Sequence, residues 1–590
     1  MTHLISEISI SNYKSIIDET FDLSPFTPLV GYNNAGKSNM LEAIKWFLRS
    51  SPLTDSDFND VKKPVEVIAR IDGVSEYILN SLEAKHKKKI EKFVIDSSMT
   101  VKVSQEEPNQ KKADIKTDLL NAEGEWEINP NGIPQAISAL FPEPIQVGAM
   151  ENSEEDASKN KTSTTIGKLL KDTLEPLETK YSAEVIEALK GINEQLTSEG
   201  ANRAPELDEF DKGVNSKITE FFPGVEIKVH IPNPEIKEVF GKGTVKVFEN
   251  KAGEGRDFSA LGHGAQRSIQ MALVRHLADV KRVAASKYSN TLLLIDEPEL
   301  YLHPQAVIIL KEALKTLSKS GYQVIFSTHS PFMISKEDME NTILIRKNME
   351  KGTYKRITIK TAIKDLEIDA LSQIELLHEF SNSANIFFAD KVILIEGKTE
   401  KRVLPNIIES ITEKSLGAQK IALVSLEGAS SLKRTQDVLK ALDLPNKGVV
   451  DLDFAITKYK EHKLFDKTHD SIKSINEFLA TKVDDWGFKI TEDGWPTNKG
   501  AIKADEVFAK LAQTPEMAEH VEAVIQICKD ADIWVWRNGT IESHIGLESK
   551  KKGEQQWKQF NSDVNAKGLK ETVDEQLFNQ LKNAVEWLTE

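Results

Sequence analysis

Eight residues near the start of the chain, "GYNNAGKS" from Gly31 to Ser38, have the G-x-x-x-x-G-K-[ST] spacing that wraps a phosphate. Backbone N–H groups of such a loop and of the helix behind it point at the anion, and glycine lets the main chain approach without a Cβ in the way. The pattern predicts that Gly31, Asn33, Asn34 and Gly36 line the cradle, that Lys37 reaches the β- and γ-phosphates of ATP, and that the Ser38 hydroxyl ligates Mg²⁺. Hydrolysis also needs a metal-orienting acid and a means of activating water. In "LLLIDE" an apolar run delivers Asp296, able to hold Mg²⁺ through water, with Glu297 beside it as candidate general base. "FSALGHGAQRSIQMAL" places Gly262 and Gly264 at a helix start with Gln266 in its first turn, a further candidate anion contact. His329, closing "YQVIFSTHS", is positioned to hydrogen-bond the γ-phosphate or the attacking water.

A second chemistry is written in acids farther along. Asp451 and Asp453 in "VVDLDF" are two positions apart, so an extended segment would turn both carboxylates to one face. Glu396 ends the apolar run "VILIE", and Glu400 follows one helical turn later if a helix starts at Gly397. Converging carboxylates repel unless cations sit among them, so Mg²⁺ or Mn²⁺ is expected, and such ions activate water for phosphodiester cleavage. Glu542 in "DIWVWRNGTIESHI" either completes a second metal position or is a surface acid. Lys398, Lys401 and Arg402 are either phosphate contacts or an exposed basic helix face.

The motifs "SNYKSI", "GYNNAGKS", "LGHGAQRS", "LLLIDEPELYLHP" and "STHS" occur in the order of the ABC-type ATPase heads of SMC and RecF-like proteins, which this region resembles. The resemblance implies two heads closing on nucleotide, with the Gly262 to Arg267 segment of one subunit capping ATP held by the other. "LGHGAQ" departs from the usual L-S-G-G-[QE], because His263 splits the glycines and Ala265 precedes Gln266. The strand-Glu-Gly, middle strand, strand-Asp-x-Asp series resembles the Toprim fold. Together the two resemble the OLD family of ATP-linked nucleases, which includes the Gabija nuclease and retron-associated effectors. That resemblance implies a DNA endonuclease regulated by ATP, a homodimer or higher homo-oligomer, bacterial antiphage defence, and a defence-system partner protein or retron component. A non-nucleolytic SMC- or RecF-like clamp or repair ATPase is the alternative, predicting nucleotide-dependent DNA retention without cleavage. A primase- or topoisomerase-like enzyme is a weaker one, since no tyrosine-bearing strand-passage domain is visible.

These residues require α/β elements to carry them. Two extended stretches, the phosphate loop, a helix with Met40, Leu41, Ile44, Phe47 and Leu48 at helical spacing, and the alternating strand "VEVIARI" fill the first seventy residues. Two amphipathic helices, Tyr181 to Leu196 and Leu207 to Phe221, are separated by "TSEGANRAP" and predict a hairpin that either packs on itself or mediates dimerisation. "KVILIEGKTEKR", "KIALVSLEG" and "KGVVDLDFA" begin a second parallel-sheet domain. The expected layout is an ATPase domain over 1–380 with a helical insertion at about 150–235, then a Toprim domain over 381–590. The polar "ENSEEDASKNKTST" reads as an exposed linker and "SNSAN" as the domain boundary.

Composition fits this. Hydrophobic residues are 39% and charged residues 28% of the chain, as in ordinary globular proteins. A net charge of −16 excludes a protein that coats nucleic acid nonspecifically, though not a local basic track or a metal-assisted site. The lysine run "KHKKK" at 85–89 reads as a solvated helix face ahead of the alternative, a DNA contact. The lone Cys528 rules out an intrachain disulfide and reads as a small buried apolar residue. No apolar run nears membrane-spanning length and no signal peptide is apparent, so a cytoplasmic protein is expected.

Overall fold

The computed structural model describes residues 3–141, 144–148, 165–231, 246–248, 255–284, 291–358, 361–362, 385–426, 431–458, 469–547 and 553–590. The linker expected at 151–164 and residues 381–384 of the boundary expected at "SNSAN" lie outside these residues. By packing, the chain forms two compact units with interleaved sequence. Met1–Lys14, Asp22–Phe26 and Ser38–Thr328 form one; Ser15–Phe21, Thr27–Lys37 and His329–Glu590 form the other.

In the first unit the strands Leu4–Tyr13, Val65–Asp72, Ser98–Gln105, Lys116–Leu120 and Trp126–Glu127 pair successively antiparallel. Alternation in "VEVIARI" does what it predicts: Val65, Val67, Ala69 and Ile71 are buried while the residues between them are more exposed. A parallel run follows, Ile145–Val147 beside Thr291–Ile295 beside Tyr322–Thr328. Every residue of the last two strands is buried, because the crossover helix Pro304–Lys319 must cover a parallel sheet. Helices Thr165–Leu196 and Pro205–Phe221 bracket the breaker segment, with Pro205 at the first helical position. Tyr181, Ile186, Ile192 and Phe210 on them are exposed. The lysine run lies on the short helix Ala84–Ile90, with Lys85, Lys88 and Lys89 exposed.

The second unit holds the phosphate-loop approach Thr27–Val30, whose strand pairs parallel with Ile343–Asn348, itself antiparallel to Gly352–Lys355. It also holds an all-parallel sheet of four strands, ordered Ile421–Ser425, Lys391–Ile395, Asn446–Asp451, Ile533–Trp536. Helices cover both faces. Ile393, Ile395 and Val449 meet Val403, Leu404 and Ile407 of helix Lys398–Thr412 on one face. Val392, Leu394 and Val450 meet Leu432, Val438 and Leu439 of helix Leu432–Ala441 on the other. Cys528 is buried, and desolvation pushes its thiol up to about 12, in keeping with an inert core residue.

Candidate functional site

The phosphate loop is shaped by close backbone approach. A Cβ at Gly31 would lie 2.4 Å from the Ile345 carbonyl oxygen, and one at Gly36 would lie 2.1 Å from Thr353 Oγ1. Gly36 has φ +102°, which other residues rarely adopt, and Asn34 is left-handed at 64°. Thr353 Oγ1 donates to the Ala35 carbonyl at 2.9 Å and so holds the loop from above. Lys37 is buried at the head of helix Lys37–Leu48, and its ammonium contacts Gly31 O at 3.0 Å, Tyr32 O at 3.2 Å and His329 Nε2 at 2.7 Å. A cradle that a side chain would fill, closed over a buried lysine, fits a phosphate.

Ser38, the next residue along the chain, belongs to the other compact unit. Ser38 Oγ donates to Asp296 Oδ2 at 2.6 Å, and Ser327 Oγ makes a short bond to Asp296 Oδ1. Asp296 follows the buried strand Thr291–Ile295, so its position is fixed by a sheet rather than by a loop. Glu297 has φ 49°, an uncommon conformation for a non-glycine residue. Its N–H donates to Ser327 Oγ at 3.0 Å and its carbonyl accepts from Arg267 Nη2 at 2.7 Å. Arg267 also reaches Asp296 O at 2.8 Å and Gly148 O at 3.0 Å, so the guanidinium locks the strand ends. Gly262 precedes helix His263–Ala284 and Gly264 is in its first turn. Gln266 is buried, its amide donating to Leu261 O at 2.8 Å and Phe258 O at 3.2 Å.

The acids of the second site gather where the four-stranded sheet reverses its order. From Lys391–Ile395 the chain crosses to one side, to Ile421–Ser425, and then returns past its start to Asn446–Asp451. The crevice between the carboxyl ends of the first and third of these strands is where open α/β sheets bind ligands. Glu396 ends one of those strands and Asp451 ends the other. Glu400 lies in the first turn of helix Lys398–Thr412, as the spacing predicted, and Gly397 is its N-cap. A Cβ on Gly397 would lie 3.2 Å from Glu400 Oε2. Glu542 arrives on the short helix Ile541–His544, after a turn in which Gly539 has φ +104°. Thr399 Oγ1 donates to Glu542 Oε1 at 2.8 Å.

One expectation is corrected. Asp451 and Asp453 do not share the face of a strand, because the strand ends at Asp451, which caps helix Leu452–Thr457. Asp453 lies in that helix's first turn and accepts the Phe454 N–H at 2.8 Å. The two carboxylates converge through a strand-to-helix turn instead.

Electrostatics ties these acids together. Burial, then the charges of Asp453 and Glu400, pushes Glu396 from 4.5 up to about 7, against the opposing Asp451 backbone N–H. Burial pushes Glu400 up to about 7 as well; local backbone N–H groups oppose it and the Glu542 charge adds to it. Asp451 is raised well above the carboxylate range by burial, then by Glu400, Glu396, Asp453 and Glu542. Glu396 Oε2 and Asp451 Oδ1 are buried without a hydrogen-bond partner among the described residues. Two orphaned carboxylate oxygens in one crevice are a donor set for a hard cation. No three His, Cys, Asp or Glu side chains among the described residues stand in ligating arrangement.

The comparisons with known proteins agree with this geometry. The AAA ATPase domain model matches residues 4–334, and the Overcoming lysogenization defect protein-like TOPRIM domain model matches residues 387–453. The Old nuclease of Escherichia phage P2 is 38% identical over 565 residues, covering 93% of this chain and 94% of that protein. The chain belongs to the OLD nuclease family. The OLD nuclease of Thermus scotoductus is 24% identical over 76% of this chain and 82% of its own, and endonuclease GajA of Bacillus cereus 22% identical over 69% and 68%. This OLD-family enzyme therefore joins an ATPase domain to a Toprim domain.

Sequence reasoning missed several supporting residues. Ser327 and Thr399 lie inside the quoted motifs, and a search for hydroxyls at strand and helix ends would have found them, although the acids they serve are 31 and 143 residues away in sequence. Thr353 carries no local signal, because it reaches the loop from more than three hundred residues away in sequence. His544 is buried with Nδ1 2.9 Å from the Thr540 carbonyl, and burial lowers it to about 4. Among the described residues no helix is long and apolar enough to cross a membrane.

Proposed function

We propose that this enzyme is a divalent-metal-dependent DNA endonuclease whose cutting is governed by ATP binding or hydrolysis. The observation that carries the reading is the set of five acids, Glu396, Glu400, Asp451, Asp453 and Glu542, in mutual electrostatic contact at the reversal point of a parallel sheet. Those residues would hold Mg²⁺ or Mn²⁺, which supplies an activated water and a counter-charge for the leaving oxygen. Glu396 and Asp451 contribute the buried oxygens, and Thr399 orients Glu542. Lys37 and the Gly31 to Gly36 backbone, with Asn33 and Asn34, would bind the ATP phosphates. Ser38 and Asp296 would hold its Mg²⁺, with Glu297 and His329 positioned to move or orient the attacking water. Gly262, Gly264 and Gln266 would cap a nucleotide held by a second copy.

The domain limits 1–380 and 381–590, a homodimer, a cytoplasmic location and antiphage defence with a partner protein belong to this same reading. A relative named endonuclease GajA supports the cutting of internal phosphodiesters. The test is incubation of supercoiled plasmid with Mn²⁺ or Mg²⁺. Wild type is expected to nick it and Asp453→Ala to leave it intact. Equal nicking by the variant would remove the metal assignment, and nucleotide-dependent retention of uncut DNA would favour the clamp reading.

A further inference from the structure

One compact unit contains both the phosphate-loop segment Thr27–Lys37 and the Toprim strands, and the residues joining them form a continuous polar cluster. The Lys37 ammonium has three N–H donors, and Gly31 O, Tyr32 O and His329 Nε2 are among the acceptors around it. A phosphate that takes this ammonium must displace at least one of them, so the Gly31–Tyr32 backbone feels the anion directly. Tyr32 is held at its far end, where its hydroxyl donates to Lys347 O at 2.6 Å and accepts from Lys347 N at 3.0 Å. Over its ring stand Lys420 Nζ, 4.1 Å from the centroid, and the Arg346 guanidinium at 5.8 Å.

Both cations lead to the start of the strand that carries Glu396. Arg346 is buried, and its Nη2 donates to Phe387 O at 2.9 Å and Ala389 O at 3.0 Å. Asp390 lies between the cations, 3.4 Å from Arg346 Nε and 3.3 Å from Lys420 Nζ, and its N–H donates to Lys420 O at 2.8 Å. The next residue opens strand Lys391–Ile395, which is hydrogen-bonded on both sides and ends at Glu396. At about 3.3 Å per residue, Asp390 and Glu396 stand roughly 20 Å apart along one stiff element. Packing alone would be served by an apolar contact to Tyr32; two cations and a shared carboxylate make a contact that responds to charge.

We propose that Tyr32, Arg346, Asp390 and Lys420 are positioning residues that carry the occupancy of the phosphate loop to Glu396. This rests on the nucleotide and nuclease reading above. It adds which residues couple the two sites.

The test uses the full chain, wild type against Lys420→Gln, with the Mg²⁺ complex of a nonhydrolysable ATP analogue. Lys420 is about half exposed, so its loss spares the fold, and Asp390→Asn serves as a second variant. Hydrogen exchange over residues 385–400 is expected to change on adding nucleotide to wild type. In Lys420→Gln the nucleotide binds with similar affinity but that change disappears. The ratio of plasmid nicking with and without nucleotide is expected to move toward one by about fivefold or more, the lower range of ordinary coupling between sites. An undiminished exchange response in both variants, or none in wild type that binds the nucleotide, overturns the relay. If wild type fails to nick DNA, the nuclease assignment falls while the exchange measurement still decides the relay. If wild type fails to bind the analogue, the cradle and the relay fall together.

Discussion

Replacing Glu396 by Gln should make the metal-free protein more stable, and by an amount that depends on pH. The side chain keeps its shape and its acceptor for the Asp451 N–H, but loses the charge that burial, Asp453 and Glu400 oppose. A carboxyl raised from 4.5 to about 7 keeps its proton in the folded state over a range where the unfolded chain has shed it. The native state therefore binds more protons between those values, and stability falls as pH rises through the window, levelling off above about 7. At about 1.4 kcal/mol per tenfold, the full penalty is about 3 kcal/mol. Glu396→Gln carries no such penalty. In EDTA its advantage over wild type should be small at pH 5 and approach about 3 kcal/mol at pH 8. Urea unfolding followed by tryptophan fluorescence measures this, because Trp534 and Trp536 lie on the strand next to Asp451. Mn²⁺ at pH 8 should narrow that gap, stabilising wild type by about 2.7 kcal/mol at a hundredfold excess over its Kd while moving the variant less. A variant no more stable than wild type at pH 8 in EDTA would refute the account of these acids as a strained, cation-seeking set.

Other consequences are simpler. Lys37→Ala should weaken ATP binding about 10- to 100-fold, the worth of one buried charge-assisted bond, while leaving Mn²⁺ binding at the acids unchanged; isothermal titration with each ligand separates the two. Gly36→Ala should lose nucleotide binding too, because its Cβ would meet Thr353 Oγ1 at 2.1 Å on a residue with φ +102°. Gln323→Leu leaves the Ile5 N–H and carbonyl without the amide that meets them at 3.0 and 2.7 Å. It should cost about 2 kcal/mol by urea denaturation with no direct effect on either site.

The parts of the site that the sequence made legible are those whose geometry is local. A phosphate loop is a contiguous chain whose glycines and lysine are fixed by spacing, and Glu396 to Glu400 is one helical turn, so both could be read directly. The Asp451 and Asp453 pair was read correctly as acids at a strand end but wrongly as one strand face. Period-two reasoning presumes that the strand continues, and nothing in "VVDLDF" announces that it stops at Asp451. Thr353, Arg267 and Arg346 were invisible as supports because their bonds run to backbone carbonyls or loops far away in sequence, which leave no pattern in the chain. What fixes a site from a distance is packing, and packing is read only in three dimensions.

The same distinction explains why the acids can be strained without unsettling the fold. Each is carried at the end of an element whose stability comes from elsewhere: Ile393, Ile395 and Val449 beneath one side of the sheet, Val392, Leu394 and Val450 beneath the other. Desolvating Glu396, Glu400 and Asp451 costs free energy that an apolar sheet of this kind can absorb, and the cost is concentrated where a cation would remove it. The strand Thr291–Ile295 shows the same arrangement in milder form. Glu297, in its uncommon backbone conformation, follows a strand buried throughout and is held by Ser327 and Arg267. In both places a stiff parallel strand delivers an acid to its carboxyl end, and the surrounding hydrogen bonds decide what that acid can do.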